Sequence, residues 1–237
     1  DNMRRQHTEK IRDFLSEKPQ GVSVVAIAAG EGMKRLFLNL GAAGIVEGGQ
    51  SMNPSMEEIL RAVEMAPGAH IILLPNNPNI FLTAAKVREI STKEIHLVPA
   101  ETMAHGIAAM VDFDPARQAA ETLKQMQQAA SSISVAEITR AVRNSATDGM
   151  NIKKGDIIAI VGDELVAAAD SLYQVMENIT GRFKEQGAEL ITLYHGEEID
   201  FIEAEKITEH LRGKFPDTEF ELHNGGQPHY LFLVSGE

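Results

Sequence analysis

Cysteine is absent from this 237-residue sequence. That one absence excludes disulfides, thiolate metal sites and a thiol nucleophile, and it fits a reducing compartment, so the cytoplasm is the expected location. Tryptophan is missing too and aromatics make up 5% of the chain, so a core has to rest on Ile, Leu, Val, Ala and the ten Met residues. Long apolar runs are lacking. The longest, such as 71–75 and 157–161, are strand-sized, far short of the roughly 20 residues a membrane helix needs, and no membrane insertion is expected. The opening DNMRRQHTEK is charged and holds no apolar signal core. Positive charge is in short supply as well: 22 Lys and Arg against 34 Asp and Glu leave a net −12. Residues 116–237 carry −9 of it, from 11 basic and 20 acidic side chains. Such a field repels phosphate backbones and attracts basic surfaces, so nucleic acid is not expected as a partner and a basic protein patch is. Solubility alone explains the same charge.

What is present reads as α/β. From Gly21 to about Val111, short apolar runs alternate with longer amphipathic stretches, which predicts a parallel sheet with helices on both faces. Strands are expected at 22–28, 44–47, 70–74 and 94–99, and helices at about 31–41, 55–66, 79–91 and 102–111. Ser55 precedes Glu57 and Glu58 as an N-cap with an acidic first turn. The Ala- and Gln-rich stretch 115–130 has high helix propensity and reads as an interlobe helix. Beyond it the signals become those of a mixed sheet: 132–144, a hairpin of 157–161 and 165–168 around Gly162-Asp163, a helix at 171–186, a strand at 189–194, a helix near 200–213, then strands at 219–223 and 229–234. The expected organisation is a lead-in helix over 1–18 from something upstream, a first α/β lobe over 19–114, the interlobe helix over 115–130 and a second α/β lobe over 131–237.

Chemistry-bearing patterns are few. Gly48, Gly49, Gln50, Ser51 and Asn53 join a strand to a helix start, where free backbone N–H groups can cradle a carboxylate or phosphate; a tight turn with a Ser cap needs no ligand to explain it. The stretch lacks GxxxxGK[ST], so a nucleoside triphosphate is not expected here. Asn76, Asn77 and Asn79 end the next strand, at the sheet edge where open parallel sheets place ligands, and ordinary capping accounts for them equally. Gly30 and Gly32 form a third such loop, with a weaker signal. The eight His show no HxxxH or HExxH spacing, so no metal site is expected; His70, His96 and His223 fall in strands and read as hydrogen-bonded structural residues. No GxSxG elbow selects a catalytic triad, and no catalytic residue is assigned. The run from His195 carries Glu197, Glu198, Asp200, Glu203, Glu205 and Glu209 around a helix start. The first of these match the helix dipole. Glu205 and Glu209 lie deeper and extend an acidic stripe suited to a docked basic surface.

Four segments in order, MRRQH, GIVEGGQSMNPSMEEIL, ILLPNNPNI and AVRNSATDGMNIKKGDIIAIVG, resemble the C-terminal domain of the FakA family of fatty acid kinases, bacterial proteins with a dihydroxyacetone-kinase-like N-terminal domain. The resemblance runs over essentially the whole chain. It implies that ATP and magnesium belong to an N-terminal domain of the parent protein, that a linker domain supplies catalysis and homodimerisation, and that the C-terminal part engages a separate fatty-acid-binding carrier whose acyl carboxylate is phosphorylated. No cofactor is then implied in this stretch. The same segments are similar to the carrier itself, a two-lobed DegV-type protein: GGQSMNPS stands at its TSQPS-like loop and LLPNNPN at its SSxLSGT-like loop. Where the carrier presents hydroxyls, this chain has Gly48, Gly49, Asn76 and Asn77. A docking domain for the carrier is the leading expectation. A lipid or small-anion binding module with its ligand between the lobes, and a stand-alone phosphotransferase or phosphatase, are the alternatives.

Overall fold

The computed structural model describes residues 21–48, 53–147 and 150–237. The helix expected over 1–18, and Gly49, Gln50 and Ser51, lie outside the described residues. Strands β1 (Val22–Ala28), β2 (Gly44–Glu47), β3 (His70–Leu74) and β4 (Glu94–Leu97) form an all-parallel first sheet in the order β2-β1-β3-β4. Helices α1 (Glu31–Asn39), α2 (Met56–Met65), α3 (Phe81–Ile90) and α4 (Met103–Met110) alternate with them. Helix α5 (Ala119–Ser132) leads into the second lobe. There β5 (Ser134–Arg140), β6 (Ser145–Thr147), β7 (Met150–Ile152), β8 (Ile157–Val161), β9 (Glu164–Ala169), α6 (Leu172–Glu185), β10 (Leu190–His195), α7 (Phe201–Lys214), β11 (Glu219–Asn224) and β12 (Phe232–Gly236) follow in turn. The second sheet has the order β11-β10-β12-β5-β8-β9, with β10 and β11 parallel and the other neighbours antiparallel. No helix among the described residues is long and apolar enough to cross a membrane.

Local chemistry sets the boundaries. Ser55 caps α2 in a reciprocal box: its Oγ accepts from the Glu58 N–H at 3.2 Å, and the Glu58 carboxylate accepts from the Ser55 N–H at 2.8 Å. β4 stops at Leu97, short of the expected Pro99, because proline has no N–H to give the ladder. α5 begins at Ala119 rather than 115, since Asp114 holds a turn by accepting from the N–H groups of Ala116 and Arg117. The strand expected over 132–144 ends at Arg140, and β6 and β7 form an unforeseen short hairpin beyond it. β12 begins at Phe232 because His229 takes a left-handed φ of 70° after Pro228.

The alternation of strand side chains distributes the core into three clusters and five layers. Val25, Ile27, Ile71 and Leu73 face α2 and α3. Their neighbours Val24, Ala26, Ile72 and Leu74 face the opposite way, into a cluster built from α1, α4 and α5. That cluster continues to Val135, Tyr194 and Leu233 of the second sheet, so one helical layer serves both sheets. Ile138, Ile191 and Val234 point to the far side, where α6 and α7 cover them.

The two lobes meet backbone to backbone. Gly30 and Gly32, read as a weak ligand loop, lie instead against the loop 224–227: the Met33 N–H donates to the Gly225 carbonyl at 2.9 Å. A β-carbon at Gly32 would fall 1.7 Å from the Asn224 carbonyl oxygen, and one at Gly30 would fall 2.5 Å from the Gln227 nitrogen. Gln227 is fully buried and donates from Nε2 to the Tyr194 carbonyl at 2.8 Å. Gly32 has no special φ, so a substitution there tests the close approach alone. Gly32→Ala should destabilise the chain by about 1–3 kcal/mol in urea unfolding, the usual cost of overpacking. Gly181→Ala, in α6 with nothing near its β-carbon, should stabilise it by about 0.8 kcal/mol; equal effects of the two changes would show that the seam is not tightly packed.

Candidate functional site

The β-to-α loops of the first sheet converge, as parallel topology requires, at the carboxyl ends of its strands. Gly48, Asn76 and Asn77 line one small cavity there, together with Glu101, Thr102, Glu137 and Tyr230. Asn53 and Asn79 are exposed at its margin and do not line it. The polar groups that the sequence offered to a ligand are largely committed to the fold. The Gly48 N–H donates to the Ala28 carbonyl at 3.2 Å, extending the β1–β2 ladder. Pro54 packs so closely that a β-carbon at Gly48 would stand 2.6 Å from its ring. Asn76 adopts φ 56° and donates from Nδ2 to the Ile27 carbonyl at 2.9 Å. Asn77 accepts from the Asn79 N–H at 2.9 Å, which caps the short 3₁₀ turn Pro78–Ile80 ahead of α3.

Acids from both lobes close this cavity. Glu137, on β5, is pushed above the usual carboxylate range by burial, although the Tyr230 hydroxyl that donates to it pulls the other way, and Glu101 adds like-charge repulsion. Burial and the Glu137 charge raise Tyr230 above the ordinary phenol value. His105, hydrogen-bonded through Nδ1 to the Thr102 hydroxyl at 2.9 Å, is lowered by burial. The cavity volume is 30 Å³, room for a water or two, whereas ligand pockets run to about 300 Å³ or more. Nothing in the sequence placed Glu101, Glu137 and Tyr230 here, because they arrive from segments far apart in the chain.

The acidic stretch is the other feature. Glu197, Glu198, Asp200, Glu203, Glu205 and Glu209 are all exposed, around the start of α7. Asp200 is its N-cap and accepts from the Glu203 N–H at 2.8 Å. Glu198 lies 3.7 Å from Arg140, and Glu209 pairs with Arg212 one turn on. Glu197, Glu203 and Glu205 make no ion pair among the described residues. Beside them Phe201 and Ile202 are 56% and 63% exposed. The Glu197 N–H donates to the Gln227 carbonyl, which places the patch next to the seam between lobes. The acids of the first lobe are differently placed. Glu58 is held in its capping box, Glu57 lies by Arg61, and Glu64 accepts from Thr92 and Ser91, contacts that lower the Glu58 and Glu64 carboxyls.

Two histidines depart from the sequence reading. Register places Glu94 beside His70, with His96 two residues further along β4. The buried His70 Nδ1 and His96 Nε2 atoms have no hydrogen-bond partner, against the expectation of satisfied strand histidines. Neither His70 nor His96 belongs to the loop site.

Comparison with known proteins agrees with this geometry. The FakA-like C-terminal family model, which describes the C-terminal part of fatty acid kinases of the FakA type, matches residues 23–237. Protein YloV of Bacillus subtilis is 32% identical over 244 residues, covering all of this chain and 44% of YloV, so the chain spans less than half the length of that relative. Among solved structures, a DegV family protein from Corynebacterium glutamicum superposes with a TM-score of 0.67 at 12% identity, over 92% of this chain and 97% of that one. The Streptococcus pneumoniae fatty acid kinase B3 protein, solved loaded with linoleic acid, gives 0.60 at 11% identity, over 91% of this chain and 99% of that one. These likenesses establish a DegV-like two-lobed fold. With the family model covering nearly its whole length, the chain belongs to the FakA-like C-terminal family of fatty acid kinases.

Proposed function

We propose that this domain docks a fatty-acid-binding carrier of the DegV type and presents its acyl carboxylate to a kinase domain elsewhere in the parent protein. The filled space between the lobes carries this reading. Three helices and both sheets pack their apolar side chains there, and the small void that is left is walled by Glu101 and Glu137, which disfavour a second carboxylate. With no room among the described residues for an acyl chain, binding falls to the outer surface. The unpaired Glu197, Glu203 and Glu205 beside exposed Phe201 and Ile202 offer what a basic partner needs: charge for encounter and apolar area for residence. Under the same proposal, ATP and Mg²⁺ bind another domain of the parent protein, which also supplies catalysis and the homodimer contact. The chain on its own then has no phosphotransferase activity, and it works in the cytoplasm.

Sedimentation velocity of the chain mixed with fatty-acid-loaded carrier should show a complex at low salt that dissociates as salt rises, because the Debye length falls from about 10 Å at 0.1 M to about 3 Å at 1 M. The triple change Glu197→Lys, Glu203→Lys and Glu205→Lys should weaken it by about tenfold or more, taking up to about 1 kcal/mol per exposed pair. Glu57→Lys should leave it unchanged. No complex at a low salt of about 0.05 M would sink the docking reading, and release of one acyl chain per molecule on denaturing mass spectrometry would favour the lipid-binding alternative.

The buried carboxyl that closes the cavity makes a separate prediction. Because the folded chain holds the Glu137 proton more tightly than the unfolded chain, stability falls as pH rises from the ordinary carboxylate value through the raised one. Glu137→Gln keeps an oxygen for the Tyr230 hydroxyl and removes the charge. The variant should melt at a higher temperature than the parent at pH 8, and the two should converge near about pH 4, where both side chains are neutral in the folded chain.

A further inference from the structure

We infer that His70, Glu94 and His96 form a binding site for a divalent transition-metal ion, zinc fitting best, at the amino-terminal edge of the first sheet. The register of β3 and β4 sets Glu94 directly beside His70, and the two-residue repeat brings His96 to the same face of β4 as Glu94. One donor atom from each of the three residues lies within 4.8 Å of the others. The carboxylate turns one oxygen to each ring, Oε2 to His70 Nδ1 at 3.3 Å and Oε1 to His96 Nε2 at 3.2 Å. Donors around a tetrahedral zinc ion, with bonds of about 2.0–2.1 Å, stand about 3.3 Å apart, so two edges of such a polyhedron are already in place.

An ordinary imidazole–carboxylate pair does not account for this arrangement. Both facing ring nitrogens are buried, yet neither makes a hydrogen bond, so the carboxylate lies off the N–H directions. Two nearly parallel rings, 20° apart with centroids at 5.9 Å, converge on one anion without either being satisfied by it. Leaving two buried nitrogens unpaired is costly, and a cation shared between them removes both penalties at once. Two imidazoles and one carboxylate, with no thiolate, suit zinc or a neighbouring late transition metal over calcium or magnesium, which prefer all-oxygen sets. Glu94 is largely exposed, so water completes the coordination. β4 is an edge strand whose one sheet partner is β3, and the ion would bind it across that pairing.

The site lies at the opposite end of the strands from the Gly48 and Asn76 loops and shares no residue with the acidic patch, so its test is independent of the docking reading. Isothermal titration of the EDTA-treated 237-residue chain with zinc chloride should give one equivalent bound. The affinity should fall tenfold or more in His70→Asn, Glu94→Gln and His96→Gln, and stay unchanged in His210→Gln, which alters another exposed His–Glu pair. Zinc should raise the melting temperature of the parent chain by a few degrees and leave those three variants unmoved. In case a variant folds poorly, NMR of the unaltered chain reads the site directly: the ring-proton resonances of His70 and His96 should shift together on adding one equivalent. Unshifted rings at that point, or parent-like zinc binding by the His70→Asn/His96→Gln pair, would overturn the inference.

Discussion

Gly30 and Gly32 approach the backbone of residues 224–227 more closely than any side chain would allow, and the shape of the interior follows from that contact. With α1 drawn onto the second lobe, α1, α4 and α5 become a common layer for both sheets, and Met33, Phe37, Met103, Ile107 and Met126 fill it. Ten Met residues and few aromatics suit such a layer, since an unbranched thioether fits irregular gaps between two twisted surfaces. A two-lobed α/β fold has room for a ligand between its lobes only if that layer is hollow. Here it is packed, and the remaining void is smaller than an ordinary ligand pocket by about an order of magnitude.

The fold was legible in the sequence wherever one physical signal dominated. Continuous runs such as Val22–Ala28 and Ile71–Leu74 had to be strands buried on both faces, and Ser55 with Glu58 marked a helix start that is capped at atomic detail. The readings slipped where local turn chemistry competed with pattern. Asp114 delayed α5, Pro99 cut β4 short, and the left-handed His229 moved β12 three residues along. The β6–β7 hairpin went unseen because its three-residue strands carry too little alternation to register.

The site was less legible, for a different reason. Sequence adjacency placed Gly48, Asn76 and Asn77 at one end of the first sheet, and that held, but the residues that give the place its character come from elsewhere. Glu101 follows β4, while Glu137 and Tyr230 belong to the other lobe. Their meeting depends on the seam, which no spacing rule encodes. The His70–Glu94–His96 cluster escaped for a parallel reason: its two histidines are far apart in the chain and are joined by strand register rather than by a helical or loop motif.

Charge completes the argument. If the net −12 served solubility alone, its carboxylates would be spread and paired much alike over both lobes. They are not. In the first lobe Glu58 and Glu64 cap and brace local structure, and Lys34 lies between Glu31 and Glu47. Around the start of α7, Glu197, Glu203 and Glu205 stand without cations among the described residues while two large apolar side chains remain in water next to them. Holding like charges together with exposed Phe201 and Ile202 costs stability in the isolated chain, and neither feature helps it fold. Both become favourable against a basic surface with an apolar centre, which is why the outer face beside the seam, and not the space within it, is where this domain's binding energy is best placed.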